Sequence, residues 1–217
     1  FKNRPGCFPM ELGSPQRYHI GPHKEECMGK NDEWKEWEES LAEEGISLET
    51  RKNRDSGILQ TRVTGVVKCP SDKLWKTLTS PTSYMEMMPK TLESDHLEEN
   101  ARKKELYCYQ RLDGGPSSDR DYTLYVTWTI KETKQGKKYH REWKIDNESG
   151  PDPVKGVVRV DVNEGSWTLT PMAGKKTKLQ QVSYFEPGGS LWAMVANPLL
   201  KEGAKELFRN LKEKYPD

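Results

Sequence analysis

The chain has 217 residues, with 35 Lys+Arg against 34 Asp+Glu and a formal net charge of +1. Such balance argues against a dedicated nucleic-acid binder, which carries a strong basic excess, and no run approaches the ~18 apolar residues of a membrane span. Only 33% of residues are hydrophobic, yet seven Trp, nine Tyr and four Phe supply the bulk for a buried core.

Residues 1–31 hold four prolines and four glycines without a hydrophobic period, and read as an extended polar lead-in to one domain over 32–217. Within the lead-in His19, His23 and Cys27 recur at every fourth position, but Gly21-Pro22 breaks the helix that metal ligation at that spacing requires, so no metal and no other cofactor is expected. No charged–apolar–small signal pattern opens the chain, and no compartment is assigned: it reads as soluble, cytoplasmic or exported after signal removal. Four cysteines are too sparse for a disulfide scaffold. Cys69 and Cys108 sit in apolar surroundings as core residues, while Cys7 and Cys27 are free to pair outside the cytoplasm.

Asp32 caps a predicted helix over 32–44, with Trp34, Trp37 and Leu41 on one face and an acidic opposite face. The period then changes to two. Ile46, Leu48 and Thr50 mark a short strand, and Leu59, Thr61, Val63, Gly65 and Val67 share one face of a second. Pro70-Ser71 opens a helix carrying Leu74, Trp75 and Leu78, and a shorter one follows around Tyr84–Met88, closed by Pro89.

Residues 90–186 are rich in strands. In the clearest, Tyr122, Leu124, Val126, Trp128 and Ile130 alternate with polar neighbours. The next alternates Tyr139, Arg141, Trp143 and Ile145 with His140, Glu142, Lys144 and Asp146, across a hairpin turn at Gln135-Gly136. Val158, Val160 and Val162 lead to a predicted turn at Asn163–Gly165; Trp167 and Leu169 follow, then a turn at Gly174 and a strand to Glu186. From Trp192 to Tyr215 the helical period returns, with Val195, Ala196, Leu199, Leu200, Ala204, Leu207, Phe208 and Leu211 on one stripe. Pro198 predicts a kink there, or a restart capped by Asn197. The layout is α+β: a curved antiparallel sheet of about seven to nine strands wrapped around a long C-terminal helix. Whether the space between them is filled or hollow does not follow from the pattern.

Several runs resemble the START lipid-binding domain family. Val157-Val158-Arg159-Val160, Gly165-Ser166-Trp167-Thr168-Leu169-Thr170-Pro171, Lys176-Thr177-Lys178-Leu179 and Glu186-Pro187-Gly188-Gly189 are similar to its last strands. Arg120-Asp121-Tyr122 resembles its Arg-Asp-aromatic signature, and the likeness extends over about residues 33–215. It implies a helix-grip fold with an interior tunnel for one phospholipid, fatty acid or sterol, and a lid made from the terminal helix and the loop Asp113–Asp119.

On that resemblance the wall would include Tyr122, Leu124, Val126, Trp128 and Trp143, with Trp192, Val195 and Leu199 from the helix. Glu105 lies near the buried acid of the family's sterol carriers, but the position of its basic partner is Val126, a departure that weakens a sterol assignment. If Glu105 points inward, Tyr107 and Tyr109 share its face and Arg141 is its replacement partner. Otherwise Glu105 lies in water, with Leu106 and Cys108 in the core.

The reading is non-catalytic binding and transfer of a hydrophobic small molecule, with transient contact at a membrane surface and no nucleic acid. Two alternatives stand. An enzyme of aromatase/cyclase or hydrolase type would draw on His96, His140, Glu142 or Asp146, although no nucleophile elbow or glycine-rich phosphate loop is present. A protein-interaction module would have a filled core. The lysines at 131, 134, 137 and 138, and at 175, 176 and 178, read as solvated turns or as tips that touch an anionic membrane.

Overall fold

A computed structural model describes residues 37–43, 45–189 and 193–216. The lead-in with Cys7, Cys27 and the two histidines lies outside the described residues, as do Trp34 and Trp192. One sheet of ten strands carries the chain. Its strands are β1 (Glu38–Glu43), β2 (Ile46–Lys52), β3 (Leu59–Val67), β4 (Thr91–Asn100), β5 (Glu105–Leu112), β6 (Arg120–Thr133), β7 (Gly136–Ile145), β8 (Val158–Arg159), β9 (Val162–Met172) and β10 (Lys176–Glu186). The order is β1-β2-β3-β10-β9-β7-β6-β5-β4, with β8 added in parallel beside β6. Among the described residues three α-helices accompany the sheet: α1 (Ser71–Thr79), α2 (Pro81–Met87) and α3 (Ala193–Lys214).

The antiparallel sheet and the long terminal helix agree with the sequence reading; three local expectations do not. Residues 38–43, expected as helix, form β1 paired antiparallel to β2. A tight turn at Gly45, with φ of 72°, folds this segment back on β2, and the ladder overrides the acidic segment's helical preference. Asn163–Gly165 is not a turn but the start of β9, where a Cβ on Gly165 would lie 2.5 Å from the Trp143 ring. That glycine admits an indole rather than a reversal. Asn197 caps no restart either, since α3 runs unbroken through Pro198. Its amide instead accepts from Leu59 N at 2.9 Å and donates to Gly57 O at 3.1 Å, tying the helix to the start of β3.

Register aligns side chains into rows that cross the concave face. In the first row Ile46, Gly65, Leu179, Leu169, Tyr139 and Ile130 are successive cross-strand partners. Two residues along each strand the row becomes Leu48, Val63, Gln181, Trp167, Arg141 and Trp128. From Ile46 to Tyr139 the first row is apolar and packed, and its gap at Gly65 is filled by Phe208 of α3, which with Leu207 and Leu211 is buried in the main core. A Cβ at Gly65 would meet Phe208 Cδ1 at 2.8 Å.

The far half of α3 is fastened to both short helices. Thr77 Oγ1 and Tyr215 OH are 2.6 Å apart, Asn210 Nδ2 donates to Met87 O at 2.6 Å, and Lys214 Nζ donates to Glu86 at 2.9 Å. Helix α1 is held to β7 by stacking of Trp75 on Tyr139, whose hydroxyl donates to Asp72 at 2.7 Å.

Gly65→Ala is expected to lower stability in urea unfolding by about 1–3 kcal/mol, because the added methyl overpacks the Phe208 seat. Gly203→Ala is the matched control: its Cβ meets nothing within 4 Å, so the helix gains up to about 1 kcal/mol.

Candidate functional site

Beyond the first row the space between sheet and helix is hollow. The cavity measures about 470 Å³. Its floor is the concave face from the second row outward, including Trp167, Gln181, Arg141, Ser183 and Trp143. Tyr84 of α2 and Met88 just beyond it close one side, and Ser94, His96, Cys108 and Gln110 of the outer strands form another. Over it α3 presents Ala196, Gly203 and Ala204 among its leucines. Small side chains where the first row had Phe208 leave the volume open.

Some polar groups in the wall are paired. Tyr122 OH donates to Gln110 Oε1 at 3.0 Å, and Gln110 Nε2 donates to Ser94 Oγ at 3.2 Å. Trp143 Nε1 donates to Asn163 Oδ1 at 3.0 Å. Three buried atoms of the second row have no partner: Arg141 Nε, Trp167 Nε1 and Gln181 Oε1. A fourth such atom, Thr123 Oγ1, lies against Gly150 and outside the cavity.

The Arg141 side chain touches the Cys108 thiol and lies 5.2 Å over the Trp167 ring. No carboxylate within 4.0 Å neutralises it among the described residues. Desolvation pulls its guanidinium below the ordinary arginine range, and burial pushes the Cys108 thiol and the Tyr84 phenol up, the phenol to about 12. Burial, and then the charge of Arg141, hold His96 below the usual imidazole range.

Of the residues expected in the wall, Tyr122, Leu124, Arg141, Trp143, Val195 and Leu199 line the cavity. Val126 and Trp128 pack instead in a neighbouring apolar cluster with Leu106 and Tyr122. Glu105, Tyr107 and Tyr109 are on the opposite face of the sheet. Strand β5 turns Cys108, Gln110 and Leu112 inward, so the two-residue period sends the odd positions outward. There Tyr107 packs on Tyr125 with centroids 5.2 Å apart, and Tyr109 OH donates to the buried Asp121, which is clamped by Arg159. Arg141 therefore does not pair with Glu105.

His96 reaches the cavity because bulges in β4 shift the alternation that sets its faces. His140, by contrast, bonds Thr168 and Glu142 on the outer face. Gln181 and Trp167 were not among the expected wall residues. Their signal was present, since both alternate in phase with core leucines, Leu179 and Leu169.

Exposed lining residues of the loop Asp113–Asp119 and of the first two turns of α3 mark the mouth. Gly114, Gly115, Pro116 and Ser117 line it from one side, and Val195 and Leu199 from the other. Arg120 fastens both borders: it donates to Ser117 Oγ and Ser118 O in the loop, and to Pro187 O in the segment that leads into α3. Asp119 folds the loop on itself by accepting from Gly114 N at 3.3 Å while Arg111 holds its carboxylate from the other side. The Arg111 ion pair keeps the Asp119 carboxyl below the usual carboxylate range.

This architecture has relatives of known structure. The STAR-related lipid transfer protein (fragment 25–204) of Xanthomonas axonopodis aligns with TM-score 0.71 and 24% identity, over 82% of this chain and 98% of that one. Human StAR-related lipid transfer protein 5 aligns with TM-score 0.72 and 15% identity, over 82% and 86%. The lipid transfer and protein localization domain of human StarD13 aligns with TM-score 0.68 and 14% identity, over 84% and 90%. Identities this low establish the fold. A search of curated protein sequences returned no match. A family model described as polyketide cyclase / dehydrase and lipid transport matches residues 67–212. The chain thus has the START-like helix-grip fold, and it belongs to the polyketide cyclase / dehydrase and lipid transport family.

Proposed function

We propose that the chain binds one hydrophobic small molecule in this cavity, leaves it chemically unchanged, and transfers it. The observation that carries the reading is the cavity of about 470 Å³ under a helix whose mouth residues Val195 and Leu199 are 52% and 54% exposed. An apolar chain inside is desolvated by Trp143, Leu124, Phe185 and the leucines of α3. Exchange needs movement at the mouth, where α3 is anchored by Asn197 while its far half is fastened to α1 and α2.

Met194, Val195 and Leu199 form an exposed apolar strip on the first turns of α3. Such a strip is suited to transient contact with a bilayer during exchange. The lysine-rich hairpin tips are at the other ends of β6 and β10 from the mouth residues Arg120 and Phe185, so contact through the tips would not open the cavity toward the membrane.

Conversion of the bound molecule is a second reading, favoured by His96 and Tyr84 facing the cavity. With its pKa lowered, His96 is a neutral hydrogen-bond acceptor near pH 7, and Tyr84 is a protonated donor. Turnover of a supplied polyketide or ester, lost in His96→Ala, would replace the carrier reading with this one.

Native mass spectrometry of the purified protein should show one amphiphile per chain, or stoichiometric uptake of a fluorescent single-chain lipid after delipidation. Gly203→Phe, which places a ring where an added Cβ meets open space, is expected to weaken uptake at least about tenfold without loss of thermal stability. Unchanged uptake in that variant would place the ligand elsewhere. In Arg120→Ala both borders of the mouth lose their tie, and stopped-flow release should accelerate by about tenfold, the equivalent of one charge-assisted hydrogen bond.

A further inference from the structure

The second row of the sheet carries a pattern of unmet hydrogen-bonding groups that specifies one end of the ligand. Arg141 on β7 and Trp167 on β9 are direct cross-strand partners, and Trp167 is in turn the direct partner of Gln181 on β10. Neighbouring strands are about 4.8 Å apart, so the first two groups can reach one small head group. Arg141 is 8% exposed and Trp167 5% exposed; both line the cavity, and each holds a donor nitrogen with no acceptor.

A buried guanidinium without a counter-charge is a costly arrangement in a folded protein, because water no longer solvates it and no carboxylate replaces the water. Its contacts with the Cys108 thiol and the Trp167 ring soften that cost but supply no anionic acceptor. Arg141 lines the cavity, so an anion that enters it would meet the charge. Both orphaned donors call for an acceptor, and the cation calls for negative charge on it. The Tyr122–Gln110–Ser94 chain nearby is satisfied internally and makes no such demand.

Volume limits what can carry the anion. A cavity of about 470 Å³ is within the size range of pockets that enclose one small ligand, which suits a head group carried on one acyl chain.

We infer that the ligand is a single-chain amphiphile whose anionic oxygen head, a carboxylate or a phosphate monoester, is held inside the cavity by Arg141 and Trp167 Nε1. This rests on the carrier reading above and narrows it. The head goes in first and the chain runs toward the mouth between Val195, Leu199 and Leu112, all of which line it. Gln181 Oε1, one strand farther, accepts from a hydroxyl where the ligand has one beside its acid group.

The test is a titration of delipidated protein with hexadecanoate, with a lysophosphatidate of the same chain length, and with hexadecanol. At least one anion should bind about tenfold to a hundredfold more tightly than the alcohol, the range of one or two hydrogen bonds to a charged group. A preference for hexadecanoate assigns the carboxylate; a preference for lysophosphatidate assigns the phosphate.

Arg141→Met should reduce anion binding to the level of the alcohol, and the ligand-free variant should melt at the wild-type temperature or above, because an unneutralised buried charge has been removed. Trp167→Phe keeps an aromatic ring and removes one donor, so it should lower anion affinity severalfold and leave hexadecanol binding unchanged. Equal binding of anions and alcohol, or an anion preference that survives Arg141→Met, overturns the inference while the carrier reading stands. Failure of all three probes to bind the wild-type protein overturns the inference, and an empty protein in native mass spectrometry that also takes up no fluorescent lipid overturns the carrier reading.

Discussion

The seat of Phe208 on Gly65 sets the spacing between helix and sheet, and the rest of the molecule follows from it. A phenyl ring can enter the first row of the concave face only where one strand lacks a side chain, and Gly65 is where it enters. Docked there, and tied through Asn210, Tyr215 and Lys214 to the short helices, α3 cannot approach the sheet more closely along its remaining length. Its earlier turns carry Gly203, Ala204 and Ala196, which do not span the gap that Phe208 spans. The cavity is the consequence of a fixed spacer at one end and small side chains at the other.

The polar content of the cavity follows from the same row geometry. A residue at every second position of β7, β9 and β10 faces inward, so the first row can be wholly apolar while the next brings Arg141, Trp167 and Gln181 together. Core and site are consecutive layers of one sheet face rather than separate regions. A charge that would be destabilising in the packed layer is tolerated one step along, where the space beside it admits a ligand. The opposite face carries its own buried pair, Asp121 with Arg159, joined by Tyr109. That pair is internally complete, whereas Arg141 has no carboxylate beside it among the described residues.

Much of this was legible in the residues. Alternation over Tyr122–Ile130 and Tyr139–Ile145 placed β6 and β7 and oriented Arg141, Tyr122 and Trp143 correctly, because a two-residue period assigns faces without knowledge of the partner strand. The helical stripe ending at Tyr215 placed α3 for the same reason. Failures came where local signals compete with pairing. Residues 38–43 look helical to a propensity argument, and the β2 edge made them a strand. Asn163–Gly165 looks like a turn, and the Trp143 ring explains its glycine. In β5 both faces carry large side chains, so Glu105, Tyr107 and Tyr109 were interchangeable with Leu106, Cys108 and Gln110 until the neighbouring strand chose between them. In β4 the bulges that turn His96 inward leave no trace in the residues themselves.

By itself the sequence determined the fold class, the terminal helix, the absence of an apolar run long enough to span a bilayer, and the resemblance to START-like domains. These depend on periodicity and composition, which are properties of neighbours along the chain. Tertiary structure alone decided that the space is hollow, that Glu105 faces out, and that among the described residues Arg141 stands without a counter-ion beside Trp167. Whether volume is filled, or a charge is met, depends on which residues from distant strands arrive at the same place. The near-neutral total of 35 basic and 34 acidic residues conceals that Arg141 is buried with no carboxylate beside it among the described residues.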